Sequence, residues 1–462
     1  MNTLLRTSLL SVGVTFALVL SACDPLLNVK PVTQIDAATD LKDALAVRVA
    51  LNGAYDGLSN RYIWGGEVWC YADLMGEEND IRFRGTFQYM GDIWRRTLNT
   101  LNSGAAEVWL VGYSTINRVN RILAVIDTLP AAERNSVRGQ ALFIRAVCYF
   151  EMIRLYGKTW GDGDNASNPG VPLVLTPSQI FQTGVLSEGE KPSRASVAAV
   201  YEQIIKDLTD AESLLPATSE ATRANKATAA AVLSRVYLMQ GRYAEARDAA
   251  NRVISTNRYS LAPTFTEAFR ESLPGFAAET IFRVPVSEQD GVNQLNVFYS
   301  ATPGGRRDME ILAGHLTKYE MNDARRAFFF TVGRRLTSKW VDQFGDIPAI
   351  RFAEMLLTRA ECNARLGTTV GAPPADDINR IRRRVGLADL APSAVTIDAI
   401  LRERRNELAF EGHWLHDKKR TRSSIVSGGT TYPFNSDRLV FPVPNREIIA
   451  NPNLRQNPGY VD

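Results

Sequence analysis

The sequence predicts an all-α-dominated fold of stacked helical hairpins, with loop-rich insertions grouped on one face. Three observations carry that prediction. Residues 225–256, NKATAAAVLSRVYLMQGRYAEARDAANRVIST, place Ala229, Val232, Leu233 and Val236, then Ala246, Ala249, Ala250 and Val253, at helical spacing, and Gln240 and Gly241 break the pattern between them. The same periodicity returns in separate stretches between residues 41 and 410. The segments between those stretches are rich in Gly, Pro, Asn and aromatic residues and read as irregular insertions.

The hairpin at 225–256 is the clearest unit. Its small residues let two helices approach closely, and Tyr237 and Tyr243 can pack across the turn. Leu233, Tyr237 and Ala246 stand at tetratricopeptide offsets; Ala230, Ser234 and Ala250 replace that pattern's Trp, Gly and Phe, and Arg258 its closing Pro. One such hairpin cannot bury both faces, so others must stack on it.

The chain has 462 residues, enough for a large core, and a hydrophobic share of 45% against 22% charged places it among folded globular chains. Its net charge is +3, and Arg6 is the one charge in residues 1–22, so residues 23–462 carry +2. That balance, without a basic stripe, excludes a nucleic-acid binder. Of four cysteines, Cys148 and Cys362 lie in apolar helical patterns and are expected to be buried free thiols.

In chain order, residues 1–22 read as a signal peptide: Arg6 gives the positive start, and the apolar run 9–20 is too short to span a bilayer. It ends Leu20-Ser21-Ala22-Cys23, which resembles the lipobox of bacterial lipoproteins. That resemblance implies cleavage before Cys23 and lipidation of its thiol, a firm anchor once several acyl chains are attached. A plain secretory signal is the alternative. Residues 23–40 read as a tether, and 41–462 as a single helical-repeat domain. Its first helix spans 41–59, and hairpins follow at about 105–157, 196–257 and 349–411. The loop-rich regions are 60–100, 158–192, 258–345 and 421–462. Ser193 or Ser196 is placed to cap the helix that ends before Pro216, and residues 280–286 read as a short β-like run.

Several stretches together resemble the SusD/RagB family: ALFIRAVCYFEMIRLYG (141–157), SVAAVYEQIIKDLTDAESLLP (196–216), the hairpin, 351–367, RERRNELAFEGHWLHDKKR (402–420) and NPNLRQNPGY (451–460). Their combination is specific and covers essentially the whole chain after Cys23. Lys418 departs from the pattern, standing where members usually carry an apolar residue, and Thr421 stands where many carry Trp. The resemblance implies a tetratricopeptide-like scaffold and a non-enzymatic surface lipoprotein of the outer membrane, anchored by its lipid. Its implied partner is a SusC-type TonB-dependent transporter, to which it delivers an oligosaccharide or, less often, a peptide. A helical-repeat adaptor that binds only protein is the remaining alternative. No cofactor is implied.

The stretch 61–95 holds Tyr62, Trp64, Trp69, Tyr71, Phe83, Phe87, Tyr89 and Trp94, punctuated by five glycines. An aromatic plate takes the apolar C–H face of a pyranose, and Asp, Asn and Arg take its rim hydroxyls. In the family the ligand site draws on this early region and on the later insertion. The resemblance therefore points to Trp64, Trp69, Tyr71, Asp73, Arg82, Trp94 and Tyr299, with at least one exposed ring beside Asp73 or Arg82. Trp109 and Trp340 fall in helical patterns and are expected in the core.

Asp73, Glu77, Glu78 and Asp80 form an acidic run, but neighbouring loop acids do not supply the buried, asymmetric carboxylate pair of a glycosidase, and no Ca²⁺-loop pattern is present. Glu411, His413, His416 and Asp417 bring two imidazoles to one turn without a zincin spacing, so packing is expected there rather than a metal. The charged run 403–411 reads either as a ligand clamp or as a charge network tying the last helix to the scaffold; the second is preferred.

Overall fold

Helix starts are written into the sequence as caps. Asp43, Asn102, Ser196 and Thr396 each accept a backbone N–H with the side chain, and Asn225 and Thr228 form a reciprocal capping box. The structure is a computed structural model and describes residues 41–76, 79–178, 191–289 and 291–461. The signal peptide, Cys23, the tether, Glu77 and Glu78 lie outside the described residues.

The scaffold helices are α1 (Ala44–Ser59), α4 (Ser103–Ala124), α5 (Ala131–Tyr156), α6 (Val197–Leu214), α7 (Lys226–Met239), α8 (Tyr243–Ile254), α12 (Phe352–Leu366), α13 (Pro374–Arg384) and α14 (Ile397–Glu407). Between them run α2 (Glu67–Leu74), α3 (Gln88–Arg95), α9 (Pro274–Glu279), α10 (Gln294–Tyr299), α11 (Ala313–Leu316), α15 (Trp414–Arg420) and α16 (Asn445–Ala450). The strands are short: β1 (Ile81–Phe83), β2 (Thr280–Val284), β3 (Met309–Ile311), β4 (Phe329–Val332), β5 (Arg334–Thr337), β6 (Ile347–Arg351), β7 (Ile425–Ser427) and β8 (Thr430–Tyr432). They form antiparallel pairs β1–β3, β2–β6, β4–β5 and β7–β8. The fold is thus mainly helical, as predicted.

Packing is sequential: α4 on α5, α5 on α6, α6 on α7, α7 on α8, α8 on α12, and α12 on α13 and α14. Ala229, Ala230 and Ala231 of α7 and Ala246, Ala249 and Ala250 of α8 are all buried, which allows the close approach. Gly241 turns between them at φ +70°. Buried bidentate ion pairs tie helix to helix. Arg145 of α5 grips Asp207 of α6 at 2.8 Å, Arg359 of α12 grips Asp377 of α13 at 2.7 and 2.8 Å, and Arg235 of α7 grips Glu354 of α12 at 2.7 Å. Cys70, Cys148 and Cys362 are buried free thiols.

The charged run 403–411 is a structural network. Arg351 binds Glu279, Glu407 and Glu411; Arg325 binds Asp323, Glu403 and Glu407; Lys339 binds Glu411. Every one of these groups is buried.

The stretch 61–95 differs most from its reading as loop. It contains α2, β1 and α3, and four of its eight aromatics (Trp64, Trp69, Tyr71 and Phe83) are core. A helix of eight residues is too short to declare a 3.6-residue period, so α2 reads as irregular although Val68, Trp69, Tyr71 and Ala72 all pack inward. Region 421–462 likewise carries the β7–β8 pair and α16, and its apolar run 439–443 is buried against α5, with Phe441 N–H donating to the Leu155 carbonyl at 2.8 Å.

Candidate functional site

Pairing of β1 with β3 joins two distant parts of the chain. Ile81, Arg82 and Phe83 stand opposite Ile311, Glu310 and Met309. Arg84 continues the junction, donating its N–H to the Asp308 carbonyl at 2.7 Å and its guanidinium to Glu310 at 2.8 Å. The early aromatic stretch and the later insertion therefore meet.

Half-buried aromatics gather beside that junction. Phe87 precedes α3 and Tyr89 lies in its first turn; their ring centroids are 5.6 Å apart, and Phe87 meets the buried Phe298 edge-on at 6.1 Å. The Arg306 guanidinium lies 4.5 Å from the Phe87 centroid, held by Asp308 at 2.8 Å and by the Thr86 hydroxyl at 3.2 Å. Tyr89 donates its hydroxyl to Glu67, which also accepts from Arg61, and Arg61 lies 5.3 Å from the centroid of Tyr62. Burial and the Glu67 carboxylate push the Tyr89 hydroxyl up, so it stays a donor at neutral pH. Apolar ring faces thus lie beside the donors Arg61, Arg84 and Arg306 and the half-buried Glu310, while the buried Glu67 and Asp308 hold Arg61 and Arg306 in place. Arg61, Arg84 and Arg306 are each paired with a carboxylate, which suits an uncharged, polyhydroxylated ligand.

Of the seven predicted site residues, five are core. Trp64 is fully buried and donates its indole N–H to Glu151 at 2.9 Å. Trp69 is covered by the Gly412 backbone, and Tyr71 is enclosed by Tyr89 and Phe441. Asp73 and Tyr299 are buried and bonded to each other at 2.8 Å. All five are buried: α2 turns Trp69, Tyr71 and Asp73 inward, Trp64 packs just before it, and Tyr299 closes on Asp73 from the end of α10. Arg82 and Trp94 are half-buried, on β1 and α3 beside the junction. Tyr62, Phe87, Tyr89 and Arg306 were not singled out by sequence reasoning. The signal that marks them is polar company: Thr86 and Gln88 flank Phe87, whereas Trp64 to Leu74 is almost unbroken apolar and small sequence.

Asp73 and Asp80 line a cavity of about 20 Å³ with His315, Arg405 and Phe410. Burial pushes the Asp73 carboxyl up to about 7. Burial would raise Asp80 too, but the hydrogen bond from His315 and the Arg405 and Lys318 charges hold it well below the usual carboxylate range. Two carboxyls in opposite protonation states is the electrostatic pattern of a glycosidase. The volume decides otherwise: this space takes about one water, whereas ligand pockets start near 300 Å³. Among the described residues, no group of three or more His, Cys, Asp or Glu side chains is placed to hold a metal.

Comparison with known proteins adds to this geometry. Residues 76–238 match a family model described as starch-binding, associating with the outer membrane, and residues 337–460 match the model of the SusD family. The chain is 26% identical to SusD-like protein P2 of Formosa agariphila, over 97% of this chain and 98% of that one. Its fold is similar to that of a sugar binding protein from Bacteroides vulgatus (TM-score 0.80, 27% identity, 92% of this chain and 100% of that one). A SusD superfamily protein from the same organism gives TM-score 0.81 at 22% identity, over 91% of this chain and 100% of that one.

Proposed function

The chain belongs to the SusD/RagB family, and from that membership we propose that it is a nutrient-capture protein of the outer membrane. It binds an oligosaccharide at the cell surface and delivers it to a SusC-type TonB-dependent transporter. It is a binding protein and not an enzyme. The observation that carries the reading is the β1–β3 junction, beside which the half-buried Phe87 and Tyr89 rings meet the exposed Arg306 guanidinium.

Among the described residues no helix is long and apolar enough to cross a membrane. Attachment is assigned to lipid on Cys23, as Leu20-Ser21-Ala22-Cys23 suggests. Cys23→Ala expressed in the native host is expected to leave the membrane fraction; continued retention would refute the anchor.

The ligand face is tested by titrating the mature protein with neutral oligosaccharides. Phe87→Ala is expected to weaken binding by about 1–3 kcal/mol, the size of a lost base–aromatic stack, by more than it lowers the stability of the fold. Turnover of the sugar would make the chain an enzyme. Binding of peptides in place of sugars would support the peptide-capture alternative, and no binding to either would support the adaptor.

A further inference from the structure

Past the Phe87 ring, the outer side of the β1–β3 pair and the neighbouring β5 are built from arginine. Residues 81–86, 305–311 and 329–337 hold six arginines (Arg82, Arg84, Arg306, Arg307, Arg334 and Arg335) and two carboxylates, Asp308 and Glu310. Register sets the first of them. Arg82 stands directly opposite Glu310, so both side chains leave the face away from the buried Ile81, Phe83, Met309 and Ile311. Arg84, two residues on, returns to that face and binds Glu310 at 2.8 Å. Arg306 binds Asp308 at 2.8 Å and lies 4.5 Å from the Phe87 centroid, so contacts run unbroken from the arginines to the aromatic pair.

Both carboxylates are used in those two pairs. Among the described residues no carboxylate pairs with Arg82 or Arg307, and Arg334 and Arg335 reach only backbone carbonyls, that of Arg307 at 2.9 Å and that of Ile311 at 3.4 Å. These two bonds set the β5 arginines beside residues 307–311, and a carbonyl carries no charge to cancel theirs. Arg307 is exposed, and Arg82, Arg334 and Arg335 are half-buried. Arg307 also holds φ +62°, a conformation that glycine takes without cost, so the backbone does not require an arginine there. Four guanidinium groups without counter-ions repel one another, and a ligand that brings oxyanions relieves the repulsion. The planar guanidinium fork suits carboxylate and sulfate oxygens in particular.

We propose that the saccharide captured by this chain is partly acidic, carrying carboxylate or sulfate groups on an otherwise neutral oligosaccharide. A neutral ring rests against Phe87, where the neighbouring arginines are already paired. The acidic groups of adjoining sugar residues are taken by the arginines that lack counter-ions. The proposal rests on the reading of the chain as a glycan-capture protein and narrows the class of glycan.

The test titrates the mature full-length chain with hexamers of a neutral galactan, the same galactan carrying sulfate and a uronate, and with a hexaglutamate peptide. Wild type is compared with Phe87→Ala and with the double variant Arg82→Gln, Arg307→Gln, whose side chains hold no ion pair in the fold. At low ionic strength one or both acidic hexamers are expected to bind wild type at least about tenfold tighter than the neutral one, an advantage that shrinks as salt rises. The double variant should bring the ratio of acidic to neutral affinity close to one, and Phe87→Ala should weaken acidic and neutral hexamers alike. The two acidic arms identify which oxyanion is read. Acidic hexamers that bind wild type no tighter than the neutral one, or a ratio unaltered in the double variant, would overturn the proposal while glycan capture at Phe87 stands. Acidic binding indifferent to Phe87→Ala would overturn the assignment of both groups to one ligand. Hexaglutamate that binds as tightly as the acidic hexamers would make the arginines a surface for acidic protein and overturn the saccharide. If no hexamer binds, the glycan-capture reading itself fails and this proposal with it.

Discussion

Trp64 shows how an aromatic side chain is retained without touching a ligand. Its indole N–H satisfies Glu151 at 2.9 Å, and its ring meets Phe143 and Phe282 edge-on. Trp64→Ala leaves a cavity and strands a buried carboxylate oxygen, so it is expected to cost about 3–5 kcal/mol of unfolding free energy. Denaturant titration followed by circular dichroism measures this; a loss below about 1 kcal/mol would mean that the ring is not core. Asp73 makes a second prediction at this scale. Its carboxyl is pushed up to about 7 by burial, against an ordinary value near 4. Between those two values the folded chain holds a proton that the unfolded chain has released, so this group's contribution to stability is full below pH 4 and is lost as pH rises through 7. Asp73→Asn keeps an acceptor for Tyr299 and removes the titration. The variant should gain on wild type by on the order of 1 kcal/mol per pH unit from pH 5 to 7. Parallel stability curves for the two proteins would refute this.

At the scale of elements, the link between α14 and α15 matters most, because it holds the charged network against α2. Gly412 sits there at φ +75°, and a Cβ would lie 2.6 Å from the Trp69 Cβ and 2.8 Å from its Cα. Both the left-handed backbone and the backbone-level clash oppose a side chain. Gly412→Ala is therefore expected to cost more than about 2 kcal/mol in a thermal or chemical melt. Arg351→Met is expected to cost about 3–5 kcal/mol, since it leaves Glu279, Glu407 and Glu411 buried around one fewer cation. A melt within about 1 kcal/mol of wild type would show that the network contributes little. These elements also mark what the sequence does and does not make legible. Helices α5, α7, α8 and α12 announce themselves because each runs long enough to repeat its apolar face, and α5, α7 and α12 also begin or end at a cap or glycine. The short helices α2 and α3 complete barely two turns, and the inward turn of Trp69 and Tyr71 in α2 depends on Gly412 and Phe441, more than three hundred residues away. The β1–β3 junction is invisible for the same reason: three-residue strands carry no alternation to read, and their register is set by the partner. The two regions that build the candidate site are thus legible from the family resemblance, but not the side chains that face outward.

The whole molecule contains three histidines, and all three are held neutral. Burial lowers His315 to about 4, against the pull of Asp80. Burial, with Arg235, Arg404 and Arg154 nearby, drives His413 well below its ordinary value, and burial with Arg154 and Lys419 does the same to His416. His413 keeps part of its surface open to solvent, so its share is the smallest of the three. A histidine with a depressed folded pKa stays unprotonated in the fold while the unfolded chain takes up a proton below about pH 6.5. The unfolded state then binds more protons, and stability falls as pH falls. Asp73 and Asp346, whose carboxyls burial raises to about 7 and about 6, act in the opposite sense across the same window. Asp377, which burial also raises, acts in the same sense as these carboxyls. Proton uptake by the three unfolded-state histidines is expected to outweigh them, so stability falls between about pH 6.5 and 5. Below that, the loss steepens as Glu361 and Glu407, which their arginine partners hold low against burial, begin to protonate in the unfolded chain. The melting temperature is therefore expected to drop from pH 7 to pH 5, and His416→Gln to flatten the drop. A melting temperature that rises on acidification would show that the buried carboxyls, not the histidines, govern the acid response of this fold.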